Sequence, residues 1–271
     1  MPKIRVNDVQ YYYRRRGIGL PLVLLHGFSG SSLSWATLTD ALAQRMDIIT
    51  IDLLGHGHTG SPQSADRYAI EYAAQDITAI VDHLGFDRFS LLGYSMGGRL
   101  ALYLAHRFPE LIKVLLLESA SAGIADAAER ILRRQQDYAL AASIERDGVR
   151  TFVDRWEQLP LFASQSSISR QRKADLREQR LQNNALGLAN SLRGMGTGSQ
   201  PSLWRSLPAV NVPTLLLCGD LDEKYVRIGE QIAAAMSNSE LAVFGNAGHN
   251  IHFERPSEFS AVVSSFLERL T

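Results

Sequence analysis

The stretch Gly93-Tyr94-Ser95-Met96-Gly97 constrains this chain more than any other. An apolar run with strand character, Phe89-Ser90-Leu91-Leu92, leads into it, and a helix-period segment from Gly98 to His106 follows directly. A strand that turns at once into a helix brings two backbones together, so small residues must flank the tip. Gly93 and Gly97 meet that need. Ser95 then occupies a strained turn with its hydroxyl projecting above the sheet. The first N–H groups of the new helix lack intrahelical partners and favour negative charge developing beside that hydroxyl. The same five-residue pattern occurs in ordinary turns, and the strand–turn–helix context is what gives it chemical meaning.

The rest of the chain repeats the alternation. Ile4-Arg5-Val6 and Tyr11–Arg15 read as an opening pair of strands about an Asn7-Asp8 turn. The Tyr/Arg cluster reads as a short strand with exposed charges, because no basic patch recurs nearby. Leu22–Leu25, Ile48–Asp52 and Val114–Glu118 are buried strands by their continuous apolar character, with helices at 35–44 and 70–84 between them. Strands alternating with helices imply a doubly wound, mostly parallel sheet. From 121 to 207 strand-like runs vanish, and several short helices rich in Arg, Gln and Ala are expected. Val212–Leu217 then restores the strand pattern. The organisation is therefore a core of 1–120 and 208–271 with a helical cap inserted at 121–207. Ligands bind at the carboxyl ends of such strands, so the cap would roof Ser95. It carries 12 of the 24 arginines and Lys173 against nine acidic residues, a surplus compatible with an anionic ligand.

Zero formal net charge over 271 residues gives no reason to expect nucleic acid as a partner. The single cysteine, Cys218, lies in an apolar run and reads as a buried thiol. The N-terminus has no apolar core of signal-peptide length, and no run approaches the roughly 20 residues that span a bilayer. A cytoplasmic protein without membrane insertion is expected. His56 and His58 lack a further Cys/His/Asp cluster at ligand spacing, so no metal is expected.

With elbow, sheet and interruption in place, the chain resembles the α/β-hydrolase superfamily over nearly its whole length. That resemblance implies an oxyanion hole from the backbone N–H of Phe28, after His26-Gly27, and of Met96, after the nucleophile. A serine hydroxyl needs a base, and the base an orienting carboxylate, in the chain order Ser, acid, His. The superfamily pattern puts the acid at Asp222, with Asp220 as rival. His249 follows the last strand, Leu241–Phe244, and is the base; His252 is the weaker candidate. Leu54 stands where relatives commonly carry proline. Ser95 at the elbow excludes the relatives that place Asp there, and leaves an esterase, a C–C bond hydrolase or a lyase.

Several stretches resemble the MenH family, the 2-succinyl-6-hydroxy-2,4-cyclohexadiene-1-carboxylate synthases. They are His26–Ser31, Gly93–Arg99, Leu192–Trp204 and His249–Pro256, together with Arg155–Ser164, which matches that family's W-x-Q-x-P-x-F pattern. The resemblance implies a cofactor-free lyase that eliminates pyruvate, with Ser95, His249 and Asp222 acting as base. It implies a polycarboxylate substrate held by Arg99, Arg133 and Arg180, with Tyr94 and Trp156 in contact. Two readings stand beside it: a serine hydrolase of the same fold acting on an ester or C–C bond, and a ligand receptor with an idle triad.

Overall fold

The computed structural model describes residues 2–270. Eight strands form one sheet: β1 (Lys3–Val6), β2 (Val9–Arg16), β3 (Leu20–Leu25), β4 (Met46–Ile51), β5 (Phe89–Tyr94), β6 (Ile112–Glu118), β7 (Thr214–Gly219) and β8 (Ser239–Phe244). Their order is β1-β2-β4-β3-β5-β6-β7-β8. β1 pairs antiparallel with β2, and β2 with β4; every later pairing is parallel. The continuous apolar runs follow from this order. Leu22 and Leu24 enter the core on one face of β3, and Val23 and Leu25 enter the core on the other. A parallel strand covered on both faces has no wet side and so no alternation.

Between the strands lie α1 (Ala36–Leu42), α2 (Ile70–His83), α3 (Met96–Arg107), α4 (Ala127–Trp156), α5 (Arg170–Leu181), α6 (Ala185–Met195), α7 (Glu223–Ala235), α8 (Ile251–Glu254) and α9 (Pro256–Glu268). Leu38 and Leu42 of α1 join Phe259, Val263 and Phe266 of α9 in one core layer. Residues of α2, α3 and α7 fill the opposite layer. The region 35–44 opens with a tight 3₁₀ turn at Ser32–Trp35, capped by Ser31, before α1 begins. In β2, Arg15 is spent on buried Asp47 and Arg16 on Asp40.

No strand occurs between β6 and β7 among the described residues. Where several short helices were expected, α4 runs for 30 residues, interrupted only at Gly148 (φ 81°, ψ 166°). A residue in that region breaks the hydrogen-bond ladder, and glycine alone reaches it cheaply. Ala141, Ile144, Phe152 and Val153 of α4 pack with Leu188, Ala189 and Leu192 of α6 in a separate small core. No helix among the described residues is long and apolar enough to cross a membrane.

β3 and β5 are neighbours, but the chain leaves them towards opposite edges of the sheet, so a crevice opens beyond their carboxyl ends. Ser95 stands at that point. A Cβ on Gly97 would overlap the carbonyl oxygens of Leu25 and His26, and one on Gly93 would overlap the Gly97 carbonyl. The elbow is thus packed backbone to backbone, with nothing flexible to yield. Gly97→Ala should therefore destabilise the protein by at least about 1–3 kcal/mol, despite alanine's better helix propensity. Urea unfolding measures this, and an unchanged midpoint would contradict the packing.

Candidate active site

Ser95 has φ 50° and ψ −106°, outside the regions that L-residues ordinarily occupy. Two backbone bonds hold it there: its N–H donates to the Glu118 carbonyl at 2.8 Å, and its own carbonyl accepts from Arg99 N–H at 3.0 Å. His249 Nε2 lies 3.0 Å from Ser95 Oγ, and His249 Nδ1 lies 2.6 Å from Asp222 Oδ2. Both His249 and Asp222 are buried. Asp220 lies outside this chain of bonds; its carboxylate accepts from Ala247 N–H at 3.3 Å.

The loop carrying His249 is fixed by a residue the sequence pattern did not single out. The buried Glu254 carboxylate accepts from Gly248 N–H at 2.7 Å and from Asn250 N–H at 3.3 Å, the peptides on either side of His249. His252 is engaged elsewhere than at Ser95. Its Nδ1 lies 2.6 Å from the Glu118 carboxylate, and its ring lies against Trp35 and Tyr94. The Tyr94 ring in turn touches His249, with 5.5 Å between centroids.

Phe28 and Met96 present backbone N–H groups without an acceptor among the described residues, Met96 because it begins α3. Phe28 belongs to a tight turn in which Gly30 N–H donates to the Gly27 carbonyl at 3.0 Å and Ser29 takes φ 63°. Neighbouring segments brace this turn. Asn183 Nδ2 donates to the Ser29 carbonyl at 2.9 Å, and Asp52 accepts from Ser32 N–H and His58 N–H. His26 is neutral: burial lowers its pKa to about 4, its Nδ1 donates to the Gly27 carbonyl, and its Nε2 accepts from Leu53 N–H. His56 is buried beside Phe28, whereas His58 packs edge-on to Tyr12, so the two do not converge.

A cavity of about 210 Å³ opens on Ser95 and His249, and Arg99, Arg133, Trp156 and Tyr225 line it. Arg99 is 8% exposed. It donates from Nη1 to the Met195 carbonyl at 2.9 Å and to Gln200 Oε1, and no carboxylate among the described residues pairs with it. Burial pulls its pKa down to about 10, which still leaves it charged at neutral pH. A buried cation with only neutral partners retains a strong unmet preference for an anion. Arg133 donates from Nε to buried Asp137 at 2.8 Å, so part of its charge is already balanced.

Arg180 stands elsewhere. It lines a neighbouring cavity of about 220 Å³, which shares Phe28, Tyr94, Trp156 and Phe162 with the first. It donates to Glu157 at 3.1 Å and stacks over Phe162, and burial lowers its pKa. Of the three arginines expected from the sequence, Arg99 and Arg133 line the cavity at Ser95, and Arg180 lines the adjoining one. Trp156 lines both cavities, packed edge-on against Phe28 at 5.4 Å. Gln200, Asp137, Glu118 and Glu254 escaped sequence reading because their roles depend on partners about 60 to 134 residues away or on loop geometry.

Residues 21–256 match the profile of the α/β hydrolase fold family. A putative 2-succinyl-6-hydroxy-2,4-cyclohexadiene-1-carboxylate synthase of Bacillus subtilis (strain 168) is 44% identical over 91% of this chain and 89% of its own length. The 2-succinyl-6-hydroxy-2,4-cyclohexadiene-1-carboxylate synthase of Serratia proteamaculans (strain 568) is 31% identical over 91% of this chain and 92% of its own. The solved structure of MenH from S. aureus superposes with a TM-score of 0.91 at 36% identity, covering 96% of this chain and 98% of that one. The enol-lactonase from Burkholderia xenovorans LB400, at 24% identity and a TM-score of 0.86 over 98% of this chain and 100% of that one, shares the fold.

The Ser95–His249–Asp222 geometry makes a prediction independent of any substrate. A fluorophosphonate should label Ser95, and His249→Ala should slow labelling by roughly 10²–10⁴-fold, the usual contribution of a general base. Asp222→Asn should slow it less. Intact-mass kinetics measure this, and equal labelling rates in wild type and His249→Ala would contradict an activated serine.

Proposed function

The chain belongs to the α/β-hydrolase fold family and, within it, to the 2-succinyl-6-hydroxy-2,4-cyclohexadiene-1-carboxylate synthases, and we infer that it carries out that family's pyruvate elimination. The substrate is 2-succinyl-5-enolpyruvyl-6-hydroxy-3-cyclohexene-1-carboxylate. Its ring double bond at position 3 becomes the 2,4-diene of the product, which defines a 1,4-elimination. The C–H bond at ring carbon 2 breaks, its electron pair forms the 2,3 double bond, the former 3,4 pair moves to 4,5, and the bond from carbon 5 to oxygen breaks.

In this reading His249, oriented by Asp222, withdraws the Ser95 proton, and Ser95 Oγ takes the proton from ring carbon 2. That carbon is adjacent to the succinyl ketone, so negative charge develops on the ketone oxygen. The N–H groups of Phe28 and Met96 then serve as donors to that oxygen, in the manner of an oxyanion hole. The expelled enolpyruvate needs a proton on its methylene carbon to become pyruvate, and the imidazolium of His249 holds one. Proton count closes without hydrolysis, cofactor or external base.

Arg99 carries this reading. A neutral ester gains nothing from a buried guanidinium with neutral partners beside the nucleophile, whereas a polycarboxylate substrate offsets its desolvation. Arg133 adds a second, half-balanced cation. We further propose that 121–207 act as a cap over the core of 1–120 and 208–271. In support, Phe28 packs against Phe152 and Trp156, and Asn183 reaches Ser29 and Gly57 across the boundary.

Ser95→Ala should keep the fold and remove pyruvate release, since loss of a triad serine costs on the order of 10⁶ in kcat in a worked protease case. Arg99→Ala should lower kcat/KM for the native substrate by about 10–150-fold, the worth of a hydrogen bond to a charged group. Arg99→Lys should recover part of this, because a point charge lacks the planar fork. Pyruvate and diene should appear in equal amounts in a coupled assay. Wild-type turnover in Ser95→Ala would end the assignment, and equal Arg99→Ala losses on native substrate and on a neutral ester would end the anion-binding role.

A further inference from the structure

Tyr225 is a residue of the Ser95 cavity that neither the motifs nor the triad account for. It lies three positions after Asp222, in the first turn of α7, where its N–H donates to the Asp222 carbonyl at 2.9 Å. The acid that orients His249 therefore also fixes where Tyr225 emerges. Its ring stands edge-on to His249 with centroids 4.6 Å apart, and Lys224 Nζ lies 6.0 Å from the ring centroid. The side chain lines the cavity together with Ser95, Arg99 and Arg133.

The hydroxyl has no hydrogen-bond partner among the described residues. A phenol O–H left unpaired beside a polar cavity is a donor awaiting an acceptor. Burial raises its pKa, while Arg99 and Arg133 are near enough to pull against that shift. The group stays protonated at neutral pH and can donate.

We propose that Tyr225 is a substrate-contacting residue whose hydroxyl completes, with Arg99 and Arg133, a binding site for one carboxylate of the substrate. The proposal rests on the polycarboxylate reading of the same cavity. A carboxylate offers about four lone-pair sites, so two guanidinium groups leave room for a further donor. A third arginine there would need a further anion or a buried acid to balance it, as Asp137 balances Arg133. A phenol adds a donor with no charge to desolvate. Its rigid ring, edge-on to His249, carries the hydroxyl with little entropy to lose. Placed next to the base, this site would hold a carboxylate close to the bonds that break.

The test is Tyr225→Phe, which keeps the ring against His249 and removes only the hydroxyl. KM for the native substrate should rise by about 10–150-fold, as expected for a lost hydrogen bond to a charged group, while kcat changes by a smaller factor. Direct titration with pyruvate as the probe should show a parallel loss of affinity, with a smaller change for neutral pyruvamide. Unchanged KM together with unchanged pyruvate affinity would overturn the proposal. So would a fall in kcat at constant KM, which would mean that the hydroxyl acts on His249. If the wild type binds pyruvate through Tyr225 but releases none from the native substrate, the elimination reading fails and the carboxylate site stands.

Discussion

The site depends on one backbone constraint, the forced turn at Ser95. Its positive φ is unfavourable for a residue with a side chain, and the protein holds it by packing around the elbow. Glycines at 93 and 97 let the start of α3 press against the carbonyls of Leu25 and His26. The same contact brings the start of α3 against the end of β3, from which the loop carrying Phe28 departs. The proposed base and the two N–H groups proposed to serve it thus share a single close approach. The Ser95 N–H to Glu118 bond extends the constraint to β6, whose terminal carboxylate holds His252 behind Tyr94.

Charge separates this protein from a generic hydrolase of its fold. Triad and donors alone suit acyl transfer as well as proton abstraction. Arg99 is buried with neutral oxygens as partners and keeps its proton at neutral pH. Desolvating a cation in this way is unfavourable in the empty protein and is offset when an anion binds. Binding energy from carboxylates remote from the reacting carbon can then position the ring against Ser95.

The sequence made the core legible because its constraints are local. Continuous apolar runs mark parallel strands, glycines mark the elbow, and chain order after successive strands leads to His249. Preference for Asp222 over Asp220 came from resemblance; Asp222 Oδ2 lies 2.6 Å from His249 Nδ1, whereas Asp220 accepts from Ala247 N–H. Residues 121–207 were read correctly as strand-free, but the length of α4 was not legible, since polar residues surround it and Gly148 imitates a terminus. Arg180 was grouped with Arg99 by resemblance; it lines the cavity adjoining the one that Arg99 lines. Tyr225 carried no signal at all, because the meaning of a tyrosine depends on what its hydroxyl meets in three dimensions.

The central claim is that Ser95 removes a ring proton and never forms a bond to the substrate. Rapid-quench mass spectrometry of the protein during steady-state turnover of the native substrate tests it most directly. The account predicts unmodified protein mass at every time point while pyruvate accumulates. A transient adduct on the Ser95 peptide, formed and lost at the rate of turnover, would contradict it.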